Sequence, residues 1–205
     1  MDGLARLDTP STRPIPALED YEPFRWDESL SLWRIQDSPQ LSVRRYPEPK
    51  YRFDAPSGEY ATVYTNSSEI GTFAEVYRIE RKGRLGRAEG ERYLVEITTT
   101  EPLPLIDLTD VMLLSALRLD DRISTGDHYD ICRAWALAFY QDRLDLCGIR
   151  YWPRKAGRNN TNVVLFAERC SSFVGVNSAN KLKHIERTML AARDLYDLVV
   201  KFRFE

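Results

Sequence analysis

Short stretches in which hydrophobic and polar residues alternate recur along the chain, as expected for half-buried β-strands. They cover residues 30–36, 61–65 and 92–100. The segment 102–110 is also predicted to be extended, because its two prolines disfavour a helix. Two apolar runs, 147–152 and 161–169, flank a basic loop that contains glycine, which predicts a hairpin with a long tip.

Other segments place apolar residues three and four positions apart, the spacing that puts them on one face of an α-helix. The predicted helices cover 67–83, 109–119, 128–144 and 182–199. Ser67 or Ser68 is the candidate N-cap of the first helix, since a serine hydroxyl can accept a hydrogen bond from a free backbone N–H there. The last helix is strongly amphipathic, and its apolar stripe is expected to pack on the core, with an interface to another chain as the alternative.

These elements follow one another without the regular strand–helix–strand succession of a doubly wound fold, so the predicted class is α+β. The first 28 residues contain several prolines, few aliphatic residues and no periodicity. We therefore predict an N-terminal arm over 1–28, partly flexible and lying on the surface. One domain follows over 29–205 and includes the C-terminal amphipathic helix.

Composition restricts the function further. With 205 residues, 43% of them hydrophobic, the chain is long enough to bury a sizeable core. A formal net charge of −2 argues against general nucleic-acid binding, since proteins that neutralise phosphates are usually basic. No apolar run suits a membrane span or a signal peptide, so we expect a cytoplasmic protein without direct membrane contact. Two histidines and three widely spaced cysteines predict no metal centre.

The segment 51–75 contains several residue types that are suited to chemistry. It holds an arginine, a proline–glycine turn, a tyrosine at the end of a predicted strand and a glutamate on the following helix. The strand-to-helix turn between Tyr64 and Glu75 can bring both side chains to one cleft, the tyrosine as a stacking face and the glutamate as an acceptor. Because the sequence has no glycine-rich phosphate-binding motif, side chains must hold any nucleotide.

Short motifs occur in a defined order along most of the chain. They are LWRI (32–35), RFDAPSGEYATVYTN (52–66), FAEVY (73–77), VEI (95–97), LIDL (105–108), GIRY (148–151) and NVVLF (162–166). Together they resemble the RES domain family, which is named for an arginine, a glutamate and a serine. The resemblance covers about residues 30–170, and its specificity comes from the order of the motifs rather than from any one of them.

The resemblance implies an ADP-ribosyltransferase-like fold, in which helices flank a mixed or split β-sheet. It also implies an enzyme that uses NAD as its substrate and needs no other cofactor. Family members act as bacterial toxins that deplete NAD by cleaving its nicotinamide–ribose bond, and some transfer ADP-ribose instead. For this chain we expect cleavage by hydrolysis or phosphorolysis. Many are neutralised by a cognate antitoxin with an Xre-type helix-turn-helix. The implied partners are therefore NAD, such an antitoxin and, through self-association, further copies of this chain.

The resemblance further implies roles for individual residues. Arg34 and Glu75 would be the catalytic residues, with Glu75 at the reacting ribose. Arg34 and Arg52 would lie near the phosphates or the ribose, and Tyr64 near the nicotinamide end. The remaining substrate-binding candidates are Tyr46 and Asn162.

One position departs from the family pattern. The family serine follows the GIRY strand, where this chain has Pro153, which lacks both a hydroxyl and a backbone N–H. Ser171 and Ser172 lie beyond the hairpin, while Ser124 and Thr125 precede a helix and would reach the cleft only by a different route. Either another hydroxyl substitutes, or the chain binds NAD poorly, uses a different substrate or is a catalytically weakened NAD-binding module. An ADP-ribosyltransferase that modifies a specific protein is a further alternative.

Overall fold

The computed structural model of the protein describes residues 7–10, 15–43, 45, 48–78 and 84–205. Within these ranges, eight strands form one mixed sheet and two short strands pair separately. The strands of the large sheet are β1 (Phe24–Trp26), β2 (Leu32–Gln36), β3 (Thr62–Asn66), β5 (Tyr93–Thr99), β6 (Leu103–Asp107), β7 (Gly148–Tyr151), β8 (Asn162–Phe166) and β9 (Val174–Lys181). The separate parallel pair is β4 (Arg84–Leu85) and β10 (Val199–Val200).

The large sheet has the strand order β1-β6-β7-β8-β3-β2-β5-β9. β6 and β7 run parallel, and the other neighbouring pairs are antiparallel. The β7–β8 pair is the predicted hairpin. β3 and β8 are in register from Thr62 opposite Phe166 to Asn66 opposite Asn162. This register brings two asparagines together at the end of the strand pair, beside the helix that follows β3.

Helices follow or connect most of the strands. Their bounds are α1 (Gly71–Phe73), α2 (Arg87–Gly90), α3 (Val111–Ala116), α4 (Arg122–Thr125), α5 (Tyr129–Asp142), α6 (Ala167–Cys170) and α7 (Glu186–Tyr196). α1 continues into a π-helical turn, Ala74–Arg78, and 3₁₀ turns occur at Pro16–Leu18 and Leu182–His184. In the part of the chain that the structure describes, no helix combines the length and the apolar character that crossing a bilayer requires.

The helix predicted for 67–83 begins later than its pattern indicates, because the chain first makes a turn at the end of β3. The Oδ1 of Asn66 accepts a hydrogen bond from the backbone N–H of Ser68 at 2.8 Å. The Ser68 hydroxyl in turn accepts one from the N–H of Gly71, the first residue of α1, at 3.0 Å. The N-cap position of α1 is Ile70, so neither Ser67 nor Ser68 is the N-cap that the sequence predicts. Ser68 nevertheless accepts a hydrogen bond from a free N–H group of the helix. Residues 79–83 lie outside the described part.

The segment predicted as an N-terminal arm, 1–28, joins the folded domain where the structure describes it. β1 pairs with β6 at one edge of the large sheet, and Leu7 and Leu18 are buried. The indole nitrogen of Trp135 on α5 donates a hydrogen bond to the backbone carbonyl of Asp8 at 2.8 Å. The buried aliphatic residues of this segment are not regularly spaced. The hydrophobic pattern of the sequence therefore does not predict that they are buried.

The sequence pattern also does not indicate β9, half of whose residues are polar. β9 pairs with β5 from Tyr93 opposite Lys181 to Thr99 opposite Val174, and it forms the second edge of the large sheet. A strand at a sheet edge is exposed along one side, and polar residues there discourage pairing with other chains. Such a strand has little hydrophobic alternation to detect.

α5 and α7 pack on the same face of the sheet, against different strands. Trp135 and Phe139 of α5 belong to a cluster with residues of β6, β7 and β8. Met189 and Ala192 of α7 pack with Tyr77 of the π-helical turn, in a cluster that also contains residues of β2 and β5. The opposite face of the sheet forms a third apolar cluster. The apolar stripe of the last helix thus packs into the core, as predicted. The helix after β3 is held between this helix and the sheet, which fixes the side chains that it presents to the site.

Candidate active site

A cavity of about 390 Å³ opens beside the middle strands of the large sheet. Residues of β2, β3, β7, β8, the helix after β3 and the α4–α5 region line it. Among them are five of the residues predicted from the sequence: Arg34, Arg52, Tyr64, Glu75 and Asn162. Tyr46, the remaining candidate, lies outside the described residues. The volume is within the range of about 300–1,000 Å³ that is typical of small-molecule sites.

The charged residues that line the cavity are predominantly basic. Its basic residues are Arg34, Lys50, Arg52, Arg92 and Arg154. Glu75 is the only carboxylate among the lining residues that the structure describes. Guanidinium and ammonium groups bind phosphate oxygens, whereas a carboxylate stabilises a positive charge that develops close to it. The cavity therefore suits a phosphorylated ligand that becomes cationic at one carbon as it reacts.

Glu75 is held by two hydrogen bonds, both of which it accepts. Its Oε1 accepts from the backbone N–H of Lys155 at 2.8 Å, and its Oε2 accepts from the Nδ2 of Asn162 at 3.0 Å. Both oxygens therefore act as acceptors, which suits an ionised carboxylate and fixes its direction. The residue lies on the π-helical turn, a local geometry that is frequent at functional sites.

Neighbouring asparagines determine how Asn162 faces Glu75. The Nδ2 of Asn66 donates to the Oδ1 of Asn162 at 2.7 Å and to the Oδ1 of Asn160 at 3.0 Å. Since the oxygen of Asn162 is engaged in this way, its amide nitrogen faces the carboxylate. Gly71 leaves room for the arrangement, because a Cβ there would lie 2.7 Å from the Oδ1 of Asn66. Sequence reasoning missed Asn66. The residue could have been selected because it is an amide at the end of an apolar strand, directly before a helix.

The tip of the β7–β8 hairpin, which supplies the N–H of Lys155, is tied to the α4–α5 region by two ion pairs. Arg154 pairs with Asp127 and Arg158 with Asp121, each at 2.8 Å. The acidic partners of both pairs are exposed to solvent, so each pair is worth at most about 1 kcal/mol. Their contribution is therefore to orient the hairpin tip over the cavity rather than to stabilise the fold.

Arg34 and Tyr64 reach the cavity from the adjacent strands β2 and β3. The Tyr64 hydroxyl donates to the Oδ1 of Asp54 at 3.1 Å and accepts from the N–H of Phe53 at 2.9 Å. Burial, and then the charge of Asp54, raise the pKa of Tyr64 well above its ordinary value, so the phenol stays neutral. Because the hydroxyl is occupied within the protein, the ring is what Tyr64 offers to a ligand.

Arg52 is only 5% exposed, and its guanidinium is engaged within the protein. Its Nη1 donates to the carbonyl of Ile123 at 3.2 Å and its Nη2 to that of Gly126 at 2.7 Å. The guanidinium carbon lies 4.7 Å from the centre of the Tyr129 ring. Arg52 therefore holds the α4–α5 region in place beside the cavity, a positioning role that sequence reasoning did not assign. Its contact with a phosphate or ribose stays a prediction.

The sequence matches the RES domain over residues 31–186, which is most of the chain. The chain belongs to the RES domain family. The match includes all five predicted residues that line the cavity. No curated protein sequence matches the chain at a significant level.

Among solved structures, this RES domain is similar to the toxin MbcT in the crystal structure of the M. tuberculosis MbcT–MbcA toxin–antitoxin complex. The TM-score is 0.63 at 16% sequence identity, and the alignment covers 86% of this chain and 91% of that chain. At this identity the likeness shows a shared fold. It confirms the α+β class and the helix-flanked mixed sheet that the sequence resemblance implies.

Three tyrosines that sequence reasoning did not select also line the cavity of this RES domain. They are Tyr51, directly before Arg52, Tyr129, at the start of α5, and Tyr151, the last residue of the GIRY strand. Burial, and then the negative charge of Glu75, raise the pKa of Tyr151. Its phenol therefore stays neutral beside the carboxylate. Tyr151 could have been selected from the sequence, because it is the last residue of the family motif GIRY.

The position of the missing family serine does not face the cavity. Pro153 is buried and is not among the lining residues that the structure describes. Ser171 and Ser172 are exposed and also lie away from the described lining. Ser124 lines the cavity, which it reaches from α4. Of the serines weighed from the sequence, the one that precedes a helix is thus the one that the fold brings to the site.

Proposed function

We propose that this RES domain protein is a toxin-type enzyme that depletes NAD by breaking the bond between nicotinamide and ribose. The observation that carries the proposal is the Glu75 carboxylate, anchored at both oxygens in a cavity whose other charged lining residues are basic among those described. Membership of the RES domain family and the fold shared with MbcT support it.

Cleavage of NAD places a positive charge where Glu75 could stabilise it. The nicotinamide ring of NAD is already cationic, so the bonding electron pair moves to the ring nitrogen and nicotinamide leaves as a neutral molecule. Positive charge then develops on the ribose, as it does in glycoside hydrolysis. A preorganised group that stabilises such charge in a water-poor site is worth about 2.7–4 kcal/mol. Glu75 would supply this term because its two hydrogen bonds fix its direction before the substrate arrives.

An oxygen nucleophile would complete the reaction at the ribose carbon that nicotinamide leaves. If water attacks, a C–O bond forms, one proton is released and the product is ADP-ribose. If phosphate attacks, the same carbon receives a phosphate oxygen and the product is a phosphorylated ADP-ribose. The basic lining supports either route, because it suits both the pyrophosphate of the substrate and a second phosphate.

Arg34 and Tyr64 would bind the rest of the substrate. Arg34 would bind the pyrophosphate, since a guanidinium can contact two phosphate oxygens at once and keeps its charge. The ring of Tyr64 would stack on the nicotinamide end, because its hydroxyl is occupied by Asp54 and Phe53. Asn162 would act through Glu75.

We also propose a protein antitoxin as partner, of the Xre helix-turn-helix type that the family resemblance implies. The structure that shares this fold is of a toxin–antitoxin complex, which supports an antitoxin for this chain. An enzyme that destroys NAD would otherwise arrest the cell that makes it. The antitoxin is expected to bind over the cavity or on an adjacent helix, where it would keep NAD out.

The test is nicotinamide release from NAD by the purified protein, measured by chromatography with and without phosphate. Glu75→Gln is expected to abolish turnover for two reasons. A neutral amide does not stabilise the cationic ribose, and its NH₂ group would face the N–H of Lys155 or the amide nitrogen of Asn162. Faster turnover in phosphate would identify phosphate as the acceptor.

Glu69→Gln is the matched control. Glu69 lies just before the same helix, accepts a hydrogen bond from the Thr188 hydroxyl at 2.9 Å and is not among the described lining residues. This variant should keep wild-type turnover. Turnover in Glu75→Gln equal to that of the wild type, or no turnover by the folded wild type, would contradict the proposed function.

A further inference from the structure

Ser124 has a buried hydroxyl in the wall of the cavity. The residue lies on α4 and is 1% exposed. Its Oγ has no hydrogen-bond partner among the residues that the structure describes. A buried hydroxyl without a partner destabilises a folded protein, because it has given up its hydrogen bonds to water. In the wall of a cavity, such a hydroxyl indicates that a bound ligand supplies the missing hydrogen-bond partner.

The other aliphatic hydroxyl groups of the described lining are occupied within the protein. They bond as follows: Thr62 to the Oδ1 of Asp54 at 3.1 Å, Thr65 to the carbonyl of Val163 at 2.8 Å and Thr72 to the carbonyl of Ser68 at 2.9 Å. Ser124 differs from all three, since its Oγ remains available for a ligand.

The backbone around Ser124 is held firmly. The carbonyls of Ile123 and Gly126, on either side of Ser124, accept hydrogen bonds from the buried guanidinium of Arg52. The N–H of Ser124 itself donates to the carbonyl of Asp121 at 3.0 Å. The hydroxyl is therefore carried by a preorganised segment, which is what a group that positions substrate requires.

The segment of Ser124 and the Glu75 carboxylate are joined through the tip of the β7–β8 hairpin. The backbone N–H of Lys155 in this tip donates to the Oε1 of Glu75 at 2.8 Å. The neighbouring Arg154 forms an ion pair with Asp127, three residues after Ser124, at 2.8 Å. Because Ser124 and Glu75 both line the cavity, the hydroxyl and the carboxylate lie around one region of it.

We propose that the Ser124 hydroxyl forms a hydrogen bond with the nicotinamide–ribose half of NAD and so supplies the hydroxyl group that this chain lacks at Pro153. The inference rests on the proposed cleavage of NAD. A serine hydroxyl can donate and accept, which suits a ribose hydroxyl or the carboxamide of nicotinamide. Ser124 would be a substrate-contacting residue, and no covalent bond to it forms or breaks.

The test compares Ser124→Ala with a control that removes a similar hydroxyl elsewhere. Thr99 on β5 is 7% exposed, its Oγ1 also has no partner among the described residues, and it is not among the described lining residues. Thr99→Val is therefore the matched control. Each variant is assayed for NAD turnover and for its melting temperature without NAD. NAD binding is measured by calorimetry in the Glu75→Gln background, where turnover does not interfere.

Both substitutions should leave the melting temperature unchanged or raise it, because neither removes a hydrogen bond. Ser124→Ala should lower kcat/KM by roughly 10-fold or more and weaken NAD binding, since one substrate hydrogen bond is lost. Thr99→Val should change neither quantity. Ser124→Gly is measured in parallel, so that poor folding of one variant does not decide the result.

The outcomes separate this inference from the proposed function. If the wild type consumes NAD and the Ser124 variants match it in kcat/KM and NAD affinity, the role of Ser124 is overturned while NAD cleavage stands. If the folded wild type neither binds nor consumes NAD, both are overturned. A selective loss in the Ser124 variants supports the inference.

Discussion

Replacing Asn162 by alanine removes one of the two anchors of the Glu75 carboxylate and leaves the carboxylate itself in place. Asn162 is 4% exposed and donates its Nδ2 to the Oε2 of Glu75 at 3.0 Å. The second anchor, the backbone N–H of Lys155, remains. Asn66 loses one acceptor and keeps the other, the Oδ1 of Asn160 at 3.0 Å. The variant therefore tests whether the direction of the carboxylate matters for catalysis.

The expected size of the effect follows from the two hydrogen bonds that Asn162 makes. A hydrogen bond to a charged group is worth about 1.5–3 kcal/mol, and one between neutral amides about 0.5–1.5 kcal/mol. If the first bond holds the carboxylate in the transition state, its loss lowers kcat/KM for NAD by roughly 10- to 150-fold. The free energy of unfolding should fall by about 1–3 kcal/mol, because the lost contacts are buried.

Nicotinamide release at several NAD concentrations gives kcat/KM, and thermal unfolding gives stability. Asn160→Ala is the control, since Asn160 bonds to the same amide of Asn66 and makes no hydrogen bond to Glu75 among those found. It should lose little activity. If the variants at 160 and 162 had the same kcat/KM, the anchoring of Glu75 would not be what makes it active, and the reasoning would be refuted.

Two further predictions concern packing and the buried thiols. Gly71→Ala should lower the free energy of unfolding by about 1–3 kcal/mol, because its Cβ would lie 2.7 Å from the Oδ1 of Asn66. Chemical denaturation against Gly175→Ala, whose Cβ meets nothing within 4 Å, checks this, and equal stabilities would contradict it. Burial raises the pKa of Cys147 from 9.0 to about 11 and that of Cys170 to about 12, so both thiols should resist iodoacetamide in the folded protein near neutral pH. In the unfolded chain the Cys147 thiol loses its proton near pH 9.0, whereas in the folded protein it keeps the proton up to about pH 11. The free energy of unfolding should therefore fall as the pH rises from 9.0 through about 11. Rapid labelling of the folded protein would contradict the argument.

Elements with a clear period could be predicted from the sequence because their burial alternates regularly. β2, β5 and the β7–β8 hairpin lie within the predicted stretches, and the stripe of α7 packs into the core. β1 and β9 could not be predicted in this way. Both lie at sheet edges, where one side has no neighbouring strand and the residues need no regular alternation.

The candidate site could likewise be predicted only in part from the sequence. Arg34, Tyr64, Glu75 and Asn162 could be selected because they stand within motifs of one family, and the fold brings all four to one cavity. The motifs do not show what those residues bond to. Only the structure shows that the Nη1 and Nη2 of Arg52 donate hydrogen bonds to two backbone carbonyls.

The sequence by itself determined the class of fold, the family and the charged groups available for chemistry, because these follow from local patterns and ordered motifs. The tertiary structure alone decided how those groups are arranged. Asn66 reaches Asn162 through the register of β3 and β8, and Ser124 reaches the cavity through contacts of α4 with Arg52. Such contacts join residues far apart in the chain, and hydrogen bonds between them depend on distances that no local pattern specifies.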